Sequence, residues 1–142
     1  MNALLTLAAA LFLAADEPVK SDLDKLQGTW TMVSMETEGH EVAPENVADK
    51  SAVYKGNRLT LLAGDMVRRR GIVTLNSERS PKAINTWDQD GPFTDYTVPG
   101  IYELDGDTLK VCFAQPGEER PKKFTSKEGT GFIYCVYKRK KP

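Results

Sequence analysis

Hydrophobic and polar positions alternate along most of this chain, and the period of two is that of strands. Residues 29–36 (TWTMVSME) set Trp30, Met32 and Ser34 against Thr31, Val33 and Met35. Residues 51–55 and 58–62 flank Gly56-Asn57, the composition of a two-residue hairpin turn. Gly64-Asp65 marks a second turn, after which residues 66–75 carry Val67, Ile72, Val73 and Leu75. Residues 82–87 predict a strand between a polar loop (76–81) and a long loop (88–99), and residues 123–125 predict a short one. Residues 101–114 (IYELDGDTLKVCFA) place Asp105-Gly106 between two alternating runs. A turn there pairs Leu104 with Asp107 and Tyr102 with Leu109. Tyr102, Leu104, Leu109, Val111 and Phe113 then share an apolar face, and Ile101, Glu103, Thr108, Lys110 and Cys112 take the mixed one. Residues 132–138 (FIYCVYK) form the last strand. About eight short strands with no long helix predict an all-β barrel or sandwich.

The N-terminus follows another pattern. Residues 3–15 (ALLTLAAALFLAA) are apolar except for Thr6 and carry no charge. About 13 residues are too few for a membrane-spanning helix, which needs roughly 20. Ended by Asp16, Glu17 and Lys20, with small residues at Ala14 and Ala15, the run reads as a signal peptide over 1–15. The expected organisation is a linker over 16–21, one domain over 22–139 and a fraying tail over 140–142. Leu23 and Leu26, three apart, predict one helical turn before Gly28. The expected location is outside the cytoplasm, periplasmic or extracellular, with no transmembrane helix.

Composition narrows the functional classes. The chain has 142 residues and a formal net charge of −1. That balance lacks the basic excess of a dedicated nucleic-acid binder, so no nucleic-acid partner is expected. One histidine and two cysteines cannot build the common zinc clusters. His40, in EGHE, reads as an exposed loop tip rather than a catalytic base. Asp88, Asp90 and Asp95 crowd one loop, but aligning Gly91 with the EF-hand glycine puts threonines where calcium ligands belong. Glu103, Asp105 and Asp107 belong to a hairpin, and no phosphate-binding glycine loop occurs. No cofactor and no enzymatic activity are expected. Arg68-Arg69-Arg70 poses a strand problem. Either Arg69 or its two neighbours face inward, and an inward arginine needs a carboxylate. A bulged or edge strand is the simpler expectation. Cys112 and Cys135 lie in separate predicted strands. They are candidates for a disulfide worth roughly 3 kcal/mol if the strands are neighbours. The alternative is two buried free thiols.

The run LQGTW (26–30), PKAIN (81–85), PGIYELDGDTLKVCFA (99–114) and ERPKKF (119–124) resembles a domain family of small uncharacterised proteins expanded in planctomycete bacteria. The resemblance spans nearly all of residues 26–139 and implies a short exported protein or appended module, with no established activity. A looser resemblance is to lipocalin-like barrels, carried by Gly28-Thr29-Trp30 after a helical turn and by Arg139 at the end of the last strand. It implies an antiparallel barrel of about eight strands, closed by the last strand meeting the first. Gly28, Trp30 and Arg139 then have structural roles, with Arg139 stacked over the Trp30 ring. Two readings of function follow. The first is a non-catalytic binding module of the cell envelope, monomeric, with a protein or cell-wall partner. The second is a carrier of a small apolar ligand, its cavity lined by positions such as Trp30, Met32, Tyr102 and Leu109.

Overall fold

In the computed structural model, which describes residues 20–142, the chain folds into a closed antiparallel barrel of eight strands with one short helix. The apolar run over 3–15, the cleavage position and most of the linker lie outside the described residues. Helix α1 (Asp22–Leu26) begins in a capping box, with Ser21 Oγ accepting from Asp24 N and Asp24 Oδ2 accepting from Ser21 N. The strands are β1 (Gly28–Thr37), β2 (His40–Glu41), β3 (Lys50–Lys55), β4 (Arg58–Ala63), β5 (Met66–Asn76), β6 (Ala83–Asp88), β7 (Thr97–Asp105), β8 (Thr108–Phe113) and β9 (Ile133–Arg139). Strand β2 is a two-residue flap on β1, and the other eight close when β1 pairs with both β3 and β9.

Three tight hairpins share one turn. Gly56-Asn57, Gly64-Asp65 and Gly106-Asp107 each put glycine first, at φ +60°, +58° and +56°. Glycine in the first central position favours turns whose twist matches the strands. The expected Asp105-Gly106 turn is therefore corrected by one residue. Leu104 faces Leu109 and Tyr102 faces Val111. The pairing moves by two positions, so every side chain keeps its expected face.

Four other expectations are corrected. Thr97–Pro99, expected in a loop, already belong to β7, and residues 123–125 are not a strand. The alternation in β1 breaks at Val33, the extra residue of a bulge between Met32 and Ser34. Val33 is half exposed, and Met35 turns to the same inner face as Met32. The outer face of β7 and β8 is solvated only toward the hairpin, where Glu103 is exposed. Residues 114–132 wrap over the rest of it, burying Ile101 and Cys112. Arg120 pins the wrap, donating to Ile84 O (3.0 Å), Gly100 O (2.8 Å) and Asn85 Oδ1 (2.6 Å).

The two ends of the barrel differ. At one end Leu26 of α1 packs with Trp30, Tyr102 and Leu109, all but fully buried. At the other end the 38–50 and 89–96 segments both leave the barrel, between β1 and β3 and between β6 and β7.

Candidate functional site

The interior toward the second end is hollow. A cavity of about 270 Å³ opens there, lined by residues of all eight barrel strands. Met32 and Met35 of β1, Leu59 and Leu61 of β4, Phe113 of β8 and Ile133 of β9 make most of the wall apolar. The β1 bulge contributes directly, because without it Met35 would face outward. Trp30, Tyr102 and Leu109, expected to line a cavity, are instead packed at the closed end, and Met32 alone of those four reaches it. The α1 plug, through Leu26, takes up the space that the sequence pattern left open.

The mouth is charged. Strand β5 has a bulge at Arg68, between the Leu61–Arg69 and Leu62–Val67 pairs. Arg69 thereby shares the inner face of Leu61 and meets the carboxylate an inward arginine requires. Its Nε donates to Asp88 Oδ1 at 3.1 Å, and its Nη2 reaches the same oxygen. The Asp88 side chain is 10% exposed and that of Arg69 is 45%, so the pair sits at the boundary of cavity and solvent. Lys50 and Gln115 complete the rim. Gly71, the next inner residue on β5, allows close approach of β6. A Cβ there would lie 2.6 Å from the Trp87 carbonyl oxygen.

Polar groups also line the cavity at depth. Tyr54 of β3 and Tyr137 and Cys135 of β9 line it and are at most 6% exposed. Burial pushes the Cys135 thiol up to about 12, with Cys112 adding to the shift. Burial likewise raises both phenols well above their ordinary value. All three stay protonated near neutral pH, so Cys135 is a hydrogen-bonding group there and not a thiolate nucleophile.

The structural residues sit at the far end. Gly28 takes φ +110° at the start of β1. Trp30 is fully buried, its Nε1 donating to Leu26 O at 2.8 Å. The Arg139 guanidinium carbon lies 4.3 Å from the centre of the Trp30 ring. Arg139 Nη1 donates to Gln27 O at 2.8 Å, and Nε pairs with Asp107 at 3.2 Å. Lys82 (2.8 Å) and Tyr102 (2.7 Å) both donate to Asp22 Oδ2, tying α1 to the barrel wall. The Lys82 hydrogen bond foremost, opposed by burial, holds the Asp22 carboxyl below its usual range.

The cysteines correct the disulfide expectation. Cys135 is opposite Val111 and faces inward, whereas Cys112 is opposite Tyr134 and faces outward, donating to Thr125 O at 3.3 Å. Both are free, on opposite faces of one sheet, where neighbouring strands cannot bridge them. His40 is exposed on β2, and Asp90 and Asp95 are exposed while Asp88 turns inward. Among the described residues no three His, Cys, Asp or Glu side chains converge to hold a metal. Sequence reasoning missed Tyr54 and Tyr137. The spacing of Cys135 and Tyr137 put them on one face, but only closure of the barrel brings Tyr54 to them.

No family model, curated protein or solved structure matches the chain. The chemistry of the site therefore stands on its own geometry: an apolar cavity, neutral polar groups at depth, and a mouth carrying the Arg69–Asp88 pair with Lys50, Arg68 and Arg70. Among the described residues no helix is long and apolar enough to cross a membrane.

Proposed function

We propose that this chain is a non-catalytic binding protein that holds a small, mainly apolar molecule in the open half of its barrel. The observation that carries this reading is the cavity of about 270 Å³, apolar over most of its wall and open at one end. An engineered apolar cavity of about 150 Å³ suffices to bind benzene, and natural ligand pockets begin at about 300 Å³. The volume suits a compact ligand rather than a long lipid. An interaction module of the envelope is the other reading of the sequence, but it rests on a family resemblance and on missing catalytic signatures, whereas the cavity is a feature of this chain's own structure. The apolar run over 3–15, read as a signal peptide, supports an encounter outside the cytoplasm.

The test is native mass spectrometry of the mature protein, from Asp16 onward, purified from the envelope of its host. A reproducible extra mass that leaves on unfolding is expected. A bare mass, with no saturable uptake of small apolar probes, overturns the proposal.

A further inference from the structure

Resting on the carrier reading, we infer that the molecule held is a compact amphiphilic anion, its apolar body in the cavity and its carboxylate at the cationic mouth. Lys50, Arg68, Arg69, Arg70 and Asp88 are the charged residues that line the cavity, four cations against one carboxylate. Asp88 is committed to Arg69, whose Nε and Nη2 both reach its Oδ1. Lys50 has Asp49 at 3.9 Å, a loose contact in which the carboxylate side chain is 59% exposed. Among the described residues Arg68 and Arg70 form no ion pair. Asp65, in the turn before β5, and Asp90 and Asp95, in the loop after β6, are exposed and do not line the cavity. The mouth therefore holds more positive charge than its own carboxylates neutralise. Guarding an open sheet edge would be one use for three consecutive arginines, but β5 is paired with β4 on one side and β6 on the other. Their bulge instead sets them around the opening, and bulges commonly re-aim side chains at a barrel rim.

The two parts of the site select the two parts of the ligand. Met32, Met35, Leu59, Leu61, Phe113 and Ile133 offer an apolar body a dry wall. Arg68, Arg69 and Arg70 are exposed and Lys50 is half-buried, so the charge is met at the boundary with solvent, where a carboxylate keeps part of its hydration. A guanidinium presents paired donors that match the two oxygens of a carboxylate. A cationic head would meet like charge at the same place, and a neutral one would leave the positive field unused. At about 30 Å³ for each water-sized volume, the cavity holds on the order of nine heavy atoms, which suits an aliphatic chain of about eight carbons.

The probes are therefore octanoate, octan-1-ol and octylammonium, which share a chain and differ in the charge of the head. Isothermal titration calorimetry with the full mature chain measures each at about 0.05 M and about 0.5 M salt. An exposed charge pair changes affinity by roughly two- to fivefold, and several acting together by about tenfold. Octanoate is expected to bind about tenfold tighter than octan-1-ol at low salt, with the gap narrowing at high salt and octylammonium the weakest of the three. The double variant Arg68→Gln/Arg70→Gln, and separately Lys50→Gln, should each lower the octanoate-to-octanol affinity ratio by roughly two- to fivefold. Lys138→Gln, which removes an exposed cation near the closed end, should leave that ratio in place. Octan-1-ol binding as tightly as octanoate, a ratio unmoved by the mouth variants, or a ratio moved as far by Lys138→Gln overturns the inference while leaving the carrier reading intact. Binding of none of the three probes to the unmodified chain overturns both. The mouth variants lie on different strands and change exposed or half-buried side chains, so failure of one to fold leaves the other to decide.

Discussion

Replacing Arg139 by alanine tests how the closed end is locked. The guanidinium carbon lies 4.3 Å from the Trp30 ring centre, and the Arg139 side chain is 27% exposed, a partly desolvated contact worth about 1 kcal/mol. The 2.8 Å bond to Gln27 O is charge-assisted and contributes about 1.5 kcal/mol. The pair with Asp107, whose side chain is half exposed, adds at most about 0.5 kcal/mol. Arg139→Ala should therefore cost at least about 3 kcal/mol, since a more exposed bond from Nη2 to Lys25 O adds to these. With a urea slope near 2 kcal/mol/M, the unfolding midpoint should fall by at least about 1.5 M with the slope unchanged. Equilibrium urea unfolding followed by tryptophan fluorescence reads this directly, because Trp30 itself loses its partner. Arg139→Lys should recover less than half, since an ammonium on a flexible stem cannot stack and fork at once. A loss below about 1 kcal/mol for alanine, or full rescue by lysine, would refute this account of the closed end.

Asp22→Asn should cost about 1–2 kcal/mol near neutral pH, from weaker bonds to Lys82 and Tyr102. Because the folded Asp22 carboxyl titrates below its ordinary value, its contribution is present above about pH 4 and is lost as pH falls through the folded value. The two stability curves, measured by urea unfolding at stepped pH, should converge in acid, and parallel curves would sink the argument. Thiol titration of the denatured, unreduced protein should find two free groups, since Cys112 and Cys135 face opposite sides of the sheet, and finding none would contradict the register of β8 and β9. Gly71→Ala should destabilise by about 1–3 kcal/mol, because its Cβ would press on the Trp87 carbonyl at 2.6 Å and backbone must shift, and thermal unfolding at or above the parent's midpoint would count against it.

The strands were legible where each residue reports on its own neighbours. The alternation over 101–114 placed Leu104, Leu109 and Val111 on one face before any pairing was known, and a two-residue change in register preserved it. The turn itself was misplaced because Asp105-Gly106 and Gly106-Asp107 both carry turn chemistry. The two other hairpins, Gly56-Asn57 and Gly64-Asp65, held the answer, since both put glycine first. Bulges were harder. Nothing in TWTMVSME marks Val33 as the extra residue, because its selection depends on the pairing of β1 with β9. The same holds for Arg69. The triple arginine posed the question of which side chain faces inward, and the bulge at Arg68 with Asp88 across the sheet answers it. The candidate site was least legible, because its deep wall is assembled from β3 and β9, separated by about 80 residues and joined only by closure of the barrel.

The division of one barrel into a packed half and a hollow half has an energetic consequence. Residual cavity volume in a protein interior costs about 24 cal/mol for each Å³, so a cavity of about 270 Å³ left dry and empty would cost roughly 6 kcal/mol. That is comparable to the entire stability of many domains. The cost falls to the extent that water or a ligand occupies the space, and the buried phenols and the charged mouth make partial hydration feasible. What remains must be offset elsewhere, and the closed end is where the strong local interactions concentrate: the capped helix, the Trp30–Arg139 stack and the Asp22 carboxylate shared by Lys82 and Tyr102. The arrangement is thus asymmetric for a physical reason. A barrel sealed tightly at one end tolerates an unfilled volume at the other, and a molecule that completes the packing of that volume gains what the empty state forfeits.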